Sequence, residues 1–573
     1  MALMVNITLN GQSIQVPLGS TVLEAAEHAG IHIPTLCHHP ALVNLGACRM
    51  CTVEIEGERA LQPSCTYPVR EGMIIKTETP RVFNLRKFVL EMLFSERNHY
   101  CMFCEMSGDC ELQTLAYQHG LAHWTYPTPN PRLHVDGTRK YFLMDHNRCI
   151  LCRRCIRACS DIVANHTLGV KYRGSKTMIS ADMGVPFGDS SCISCGTCLQ
   201  VCPTGALVDR KSAYMGRHTD TQTVNSQCSF CSVGCSSQII KRSGRVLRVE
   251  GDWEGSNEGV LCHLGRFDPF YETRDRVLSP MIRKGDSLIA VEWDEALDCI
   301  ADKIKETGHE KAKAWITGKT LHEAMESFVN VFEKKIGMPV GALESTLLDL
   351  NLPSNGTLSD IDKSDCILII GADPLLRHLV LGYRVKRARN HGAKVILVGG
   401  DGKEGIGRYA HMKFEFGNLD DALKICMDSD MPMVLYGEGL GITNAEKVKV
   451  LESRAKFMGL FPATNGYHAR ELGLQDGVKR DHAKLMYVLL EDLELREETV
   501  QTLKKAEFVV SHSSYLGAVS EFANVILPVP LWYEREGTFV NCEGNEIKVT
   551  AAMNKPETVL SEVEVFDRLA LRF

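Results

Sequence analysis

Nineteen of the chain's 23 cysteines fall at or before Cys262, in tight groups with short, repeated spacings. Nothing else restricts the fold as strongly, because thiols at that density must be tied to one another or to metal. Disulfide frameworks belong to short secreted domains, whereas clustered cysteines in a chain of 573 residues point to metal-bound thiolates. The other four, Cys299, Cys366, Cys426 and Cys542, stand singly. The chain thus divides into a ligand-bearing half and a plain half, and its length suggests roughly three to five domains. An apolar content of 44% supports ordinary cores, and a net charge of −7 gives no electrostatic case for a nucleic-acid partner. No apolar run approaches the roughly 18–20 residues of a membrane span. The opening MALMVNITLNGQSIQV alternates like a strand and lacks the regions of a signal peptide, so a cytoplasmic protein is expected.

The first group is Cys37, Cys48, Cys51 and Cys65, spaced C-x10-C-x2-C-x13-C. Strand patterns at 5–9 and 13–16 and an amphipathic helix over 21–29 precede it, the order of a β-grasp sheet with a ligand loop after its helix. Zinc knuckles usually come as two CxxC pairs. One pair flanked by isolated cysteines resembles a plant-type [2Fe–2S] loop, although the first spacing is longer. The second group, NHYCMFCEMSGDC, supplies only Cys101, Cys104 and Cys110. Three thiolates leave a cubane one ligand short, and His99 is the candidate fourth. A neutral imidazole in place of an anionic thiolate should raise such a cluster's potential.

The third and fourth groups repeat one spacing, C-x2-C-x2-C-x3-C: Cys149, Cys152, Cys155 and Cys159, then Cys192, Cys195, Cys198 and Cys202, closed by Pro203. In the bacterial two-cluster ferredoxin run the fourth cysteine of each run ligates the other cluster. The expected sets are therefore Cys149, Cys152, Cys155 and Cys202 on one [4Fe–4S] cluster, and Cys192, Cys195, Cys198 and Cys159 on the other. The fifth group, Cys228, Cys231, Cys235 and Cys262, encloses QIIKRSGRVLRVEGDWEG, which reads as a hairpin turning at Ser243-Gly244. Nineteen cysteines and His99 make twenty ligands, enough for one [2Fe–2S] and four [4Fe–4S] clusters with no early cysteine left over.

With those residues placed, 1–262 resemble the large iron–sulfur subunit of NADH:quinone oxidoreductase (complex I) and its relatives in NAD-linked hydrogenases and formate dehydrogenases. The resemblance continues into a molybdopterin-oxidoreductase-like region through DCILIIGADPLLRHLVLGYRVKRARNHGAKVILV (365–398) and AEFVVSHSSYLGAVSEFANVILPVPLWYEREGTFVNCEGN (506–545). The complex I subunit places its cluster histidine where this chain has Arg97. The NHxC arrangement is closer to the diaphorase-side subunit of soluble NAD-linked hydrogenases. The resemblance implies a multidomain α+β protein. Its parts are a β-grasp [2Fe–2S] domain (1–80), a [4Fe–4S] domain ligated by one histidine and three cysteines (81–135), a two-cluster ferredoxin domain (136–215), a small β-rich [4Fe–4S] domain (221–279) and a truncated α/β domain (280–573). It further implies an electron-relay subunit whose partners are a flavin/NADH-binding iron–sulfur subunit, a thioredoxin-like [2Fe–2S] subunit, and a hydrogenase, formate dehydrogenase or ferredoxin-interacting module. A short complex I subunit is the rival within the class.

The second half itself reads as α/β. Apolar runs at 366–371 and 394–399 flank a helical stretch at 380–390, a βαβ unit, with further strands at 431–437 and 507–511. GGDGKEG (399–405) has a formal G-x-G-x-x-G, but IGRYAHMKFEF after it looks like a turn and another strand, and Asp401 and Glu404 would repel a pyrophosphate. No Walker A motif is present. Formate-dehydrogenase-like enzymes carry a bridging lysine two residues after the last cluster cysteine, where this chain has Leu264. Cys299, Cys366 and Cys426 read as small buried hydrophobes, and Cys542, in a polar turn, is the least implausible metal ligand. No molybdenum or tungsten pterin is therefore expected, although a molybdenum or tungsten formate-dehydrogenase-like enzyme is the alternative of another class. A zinc-knuckle nucleic-acid module would use Arg148, Arg153, Arg154 and Arg157 as its basic patch; in the cluster reading they shield anionic cubanes or receive a partner.

Overall fold

The alternating residues at the N-terminus form a hairpin, in which Met4–Leu9 pairs antiparallel with Gln12–Pro17. Its turn is Asn10-Gly11, both at positive φ, the backbone a two-residue hairpin requires. The computed structural model describes residues 3–127, 131–400, 403–475 and 483–573, and divides into two units, Met1–Gln222 and Thr223–Phe573. No helix among the described residues is long and apolar enough to cross a membrane.

In the first unit the hairpin belongs to a five-stranded sheet, where Met4–Leu9 also pairs parallel with Ile74–Lys76. The helix Val22–His28 starts at a Thr21/Glu24 capping box, and Val5, Ile7, Val22, Leu23, Ala26 and Val53 bury their side chains together. The segment carrying Cys37, Cys48 and Cys51 runs between this helix and the third strand, Thr52–Ile55, the order the sequence led one to expect. The helix Pro80–Glu96 begins with Thr79 as cap and proline in its first turn. Its Leu90 and Phe94 pack on Leu112, Leu115 and Ala116 from the helix Glu111–Gln118. Buried Arg86 on the long helix donates to the Met50 and Thr52 carbonyls, which pins the loop carrying Cys51. The third and fourth cysteine groups each end in one helical turn, Arg154–Arg157 and Thr197–Gln200.

The second unit opens on a three-stranded sheet in the order Gln222–Gln227, Ser236–Arg242, Arg245–Gly251, the last two antiparallel and joined through Ser243-Gly244. A five-stranded parallel sheet follows the order Met412–Phe414, Lys394–Val398, Cys366–Ile370, Pro432–Tyr436, Lys456–Gly459. Its central strand, CILII, is buried throughout, as strands covered on both faces must be. The helix Leu379–Asn390 connects the two strands of the expected βαβ unit. A seven-stranded sheet contains Leu485–Glu491 and Phe508–Ser513 in parallel, with Met281–Lys284 and Ser287–Ala290 as an antiparallel edge hairpin. After Gly399 come a short helical turn at Gly405–Arg408 and the strand Met412–Phe414, so among the described residues no helix opens where a dinucleotide fingerprint needs one. Asp401, invoked against pyrophosphate, lies outside the described residues.

Candidate cluster-binding sites

In the first group Cys37 and Cys48 face each other, each backbone N–H directed at the other's sulfur at 3.3 and 3.5 Å, while the sulfurs of Cys51 and Cys65 lie 3.4 Å apart. Within each pair the contact between the side chains holds one thiol down, Cys37 at about 5 and Cys51 at about 7, while the same contact and burial push Cys48 and Cys65 up. One thiol of each pair ionises readily while its neighbour, Cys48 or Cys65, is pushed up, so all four become thiolates only with a cation among them. The Arg157 guanidinium donates to the Cys37 and Val43 carbonyls, fixing that loop from 120 residues away.

His99, Cys101, Cys104 and Cys110 converge on one cavity, walled by Phe94, Leu112 and Gly205. A β-carbon at position 205 would stand 2.5 Å from the Cys104 sulfur, so only glycine leaves room for the thiol. The His99 ring packs edge-on to Phe94, and its Nε2 lies 3.2 Å from the Leu93 carbonyl. Donation from Nε2 fixes the tautomer and leaves Nδ1 with the lone pair. Burial holds the imidazole at about 4, hence neutral and able to ligate. Arg97 donates to the Thr177 carbonyl and His123 is exposed; neither lines the cavity. Replacing His99 by cysteine is expected to keep four ligands but lower that cluster's potential, since an anionic ligand disfavours reduction. An EPR redox titration with unchanged midpoint and spectrum would remove His99 from the ligand set.

The third and fourth groups repeat in backbone as well as in sequence. Leu151 and Arg153 take left-handed conformations (φ 54° and 58°), and Ser194 and Gly196 do so at the matching positions (φ 55° and 73°). Those kinks aim the Leu151 and Ser194 N–H groups at the Cys149 and Cys192 sulfurs, both at 3.4 Å. The terminal cysteines lie close to both runs, since Cys159 raises Cys155 of its own run as well as cysteines of the other. Besides burial, the charge of Cys202 pushes up Cys149, Cys152 and Cys155, whereas Cys159 is raised by Cys195 and in turn raises Cys192 and Cys198. Two buried groups of thiols that resist ionisation beside one another form thiolates only with a cation among them.

The arginines near these runs form no basic patch. Arg154 is buried and bidentate to Glu111 at 2.6 and 2.7 Å, Arg157 is buried against the Cys37 loop, and Arg148 pairs with Asp145 and faces the His99 cavity. Of the four, only Arg153 is exposed. The partners of Arg154 and Arg157 lie far away in sequence, which is why local charge density suggested a surface.

In the fifth group Cys228, Cys231, Cys235 and Cys262 are all buried, and burial raises each thiol. The Cys228 N–H donates to the Cys235 carbonyl at 2.9 Å, closing the loop. A β-carbon on Gly265 would meet the Cys228 sulfur at 2.6 Å. Thr464 and the Cys542 N–H hold the carbonyls of Ser229 and Ser232, residues between the ligand positions. Sequence reasoning missed Lys319, whose Nζ sits 2.6 Å from Asp492 Oδ1 and 5.4 Å from the Phe230 ring centre. Its charge draws Cys228 down against the effect of burial. A lone lysine 57 residues beyond Cys262 carries no local signal for that role.

The single cysteines separate into three situations. Cys366 and Cys426 are buried with sulfurs 3.5 Å apart, a pairing that sequence alone did not suggest. Cys299, expected to be buried, is only half-buried, because its helix position falls at the rim of the Ala296, Leu297 and Ile300 face. Cys542, expected in a polar turn, is fully buried against Met458 with sulfurs 3.7 Å apart. Leu264 lies on the one-turn helix His263–Arg266 and is half-buried. The cavity lined by Glu323, Glu534, Glu536 and Glu562 with Arg535 and Lys555 has more carboxylates than cations, a poor seat for a diphosphate.

These sites define the class first: a multidomain α+β iron–sulfur protein, its thiol sets on small domains ahead of a large α/β domain. The chain belongs to the molybdopterin oxidoreductase family, whose model matches residues 276–570, more than half of its length. Four further family models match ahead of it: a 2Fe-2S iron-sulfur cluster binding domain (2–80), the NADH-ubiquinone oxidoreductase-G iron-sulfur binding region (86–124), the ferredoxin-like domain of NADH-quinone oxidoreductase subunit 3 (141–208) and the molybdopterin oxidoreductase Fe4S4 domain (221–271). The chain is 30% identical to NADPH-Fe(3+) oxidoreductase subunit alpha of Geobacter sulfurreducens, over 72% of this chain and 50% of that protein. It is 26% identical to NADH-quinone oxidoreductase subunit 3 of Thermus thermophilus, over 96% of this chain and 80% of that one. It thus spans about half the length of the first of these relatives. A solved structure of NAD+-reducing [NiFe]-hydrogenase in the H2-reduced state is 37% identical over 37% of this chain and 90% of that chain, with a TM-score of 0.35.

Proposed function

We propose that this chain is an iron–sulfur electron-transfer subunit of a cytoplasmic, NAD(H)-linked multisubunit oxidoreductase, standing between a flavin/NADH subunit and a separate hydrogenase, formate dehydrogenase or ferredoxin-handling module. The observation that supports the reading is the use of the early cysteines: the nineteen up to Cys262, with His99, divide by spacing into five groups of four, and His99, Cys101, Cys104 and Cys110 line one cavity. When bound, one [2Fe–2S] and four [4Fe–4S] clusters supply one-electron carriers. The chain's own residues set the positions. Left-handed kinks aim backbone N–H groups at sulfur, Gly205 and Gly265 make room for thiols, and Arg148 and Lys319 place positive charge beside anionic sites. The modules are taken as 1–80, 81–135, 136–215, 221–279 and 280–573.

The α/β domain is proposed to work without molybdenum or tungsten pterin. Leu264 offers neither charge nor hydrogen bond beside the fifth group, and Cys366, Cys426 and Cys542 are buried, the first two against each other and the last against Met458. A dinucleotide fingerprint followed by a helix is likewise missing from the described second half, so NADH oxidation belongs to a partner.

Metal analysis of the anaerobically purified chain should give roughly 18 iron atoms, the sum that the ligand sets imply. The chain alone should not reduce a dye with NADH, and activity should appear when the flavoprotein partner is added. Fewer than about 12 irons, several zinc atoms bound through sulfur, or NADH-dependent dye reduction by the chain alone would overturn the relay reading.

A further inference from the structure

We propose that His322, Glu326 and His468 bind one divalent ion of the zinc class, with Glu471 orienting the His468 ring. None of these four residues belongs to the cysteine groups. His322 opens the helix His322–Phe328 with Glu326 one turn on, so the two share a face. His468 and Glu471 stand together on the helix Gly466–Glu471. One donor atom from each of His322, Glu326 and His468 falls within 4.8 Å of the other two.

The unusual feature is how the rings are left. They stack with centres 3.6 Å apart and planes 17° from parallel. His322 Nε2 lies 3.3 Å from Glu326, and His468 Nδ1 lies 3.3 Å from Glu471. In neutral imidazoles those contacts take up each ring's single N–H and leave a lone pair on the other nitrogen. The remaining atoms, His322 Nδ1 and His468 Nε2, are buried and have no hydrogen-bond partner among the described residues. His468 itself is 4% exposed. Two buried, unspent imidazole lone pairs side by side are costly, since a buried polar group without a partner loses about 1–3 kcal/mol. A cation answers both at once. Burial and the neighbouring His322 also keep His468 below the usual imidazole range, so it is available as a neutral ligand.

Charge and geometry point the same way. Two neutral rings and two carboxylates carry two negative charges, the complement of a divalent ion. A carboxylate accepting from the far nitrogen of a ligating histidine is the arrangement that fixes ring and tautomer in metal sites, the role given to Glu471. Parallel rings cannot both aim at one ion, so one must turn out of the stack. His322 has the freedom, with its side chain 26% exposed against 6% for His468. That turn also releases Glu326, at the solvent edge, from His322 Nε2, so its carboxylate supplies the third ligand and water completes a tetrahedron.

The test uses the full chain with its iron in place, cleared of loose metal on a chelating resin and equilibrated with zinc. One zinc per chain should be retained, with X-ray absorption showing nitrogen and oxygen neighbours at about 2.0–2.1 Å and no sulfur shell near about 2.3 Å. His322→Ala, at a partly open position that leaves the core intact, and His468→Gln should each abolish retention without changing the iron content. Glu471→Gln should weaken zinc binding about tenfold to a hundredfold. No retained zinc, a sulfur shell, or undiminished retention in both histidine variants would overturn the proposal, and none of these results bears on the cysteine ligand sets.

Discussion

Cys202→Ala is expected to remove about four irons, and the EPR signal that disappears should be the one lost in Cys152→Ala, not the one lost in Cys195→Ala. Cys202 belongs by sequence to the second run, where proximity along the chain would group it with Cys192, Cys195 and Cys198. In the structure it raises Cys149, Cys152 and Cys155 instead. The cause is the helical turn inside each run. Four residues from third to fourth cysteine advance about 6 Å along a helix axis, enough to carry the last thiol from its own loop to the other. Cys159→Ala should mirror the result and remove the signal lost in Cys195→Ala. Each variant breaks one set while the other keeps all four ligands, so the comparison reads connectivity directly. If Cys202→Ala and Cys195→Ala erase the same signal, the crossed assignment is wrong.

Ligand spacing was legible in the sequence because it is local. The repeated run fixes two loops and two helical turns within eleven residues each, and the structure repeats even the left-handed positions. The hairpin at Asn10-Gly11 and the βαβ unit were legible for the same reason, since alternation and apolar runs report nearby backbone. What could not be read is whatever depends on distant partners. Arg154 and Arg157 look like surface charge until Glu111 and the Cys37 carbonyl are placed beside them, 43 and 120 residues away. Cys366 and Cys426 meet across 60 residues. Cys542 has polar sequence neighbours, but its position beside Ser232 and Met458 comes from tertiary packing. His322 and His468 share a site across 146 residues of sequence, with no motif to join them.

Truncation after residue 279 should cost the chain its fifth cluster as well as its α/β domain, leaving roughly 14 irons of the full set. All four ligands, Cys228 to Cys262, remain in such a chain, so a count by sequence would keep the cluster. The structure gives the opposite expectation because the walls of that site come from beyond the cut. Thr464 and the Cys542 N–H hold the carbonyls of Ser229 and Ser232 at 2.6 and 2.7 Å. Ser226 and Lys241 donate to the Thr550 and Ala552 carbonyls at 2.9 and 2.6 Å. Phe539 lies so close to Gly234 that a β-carbon there would meet its ring at 2.8 Å. Each buried polar group stripped of its partner costs about 1–3 kcal/mol, and removing Phe539 exposes the cysteine loop to water besides. A small three-stranded sheet has no reserve to meet several such losses. This gives the α/β domain a function that needs no pterin: it supplies the polar and apolar walls that keep the fifth thiol set in place. Iron analysis and EPR of the truncated chain decide the matter. Retention of about 18 irons with an unaltered spectrum would show that the fifth site stands on its own and that the domain is kept for another reason.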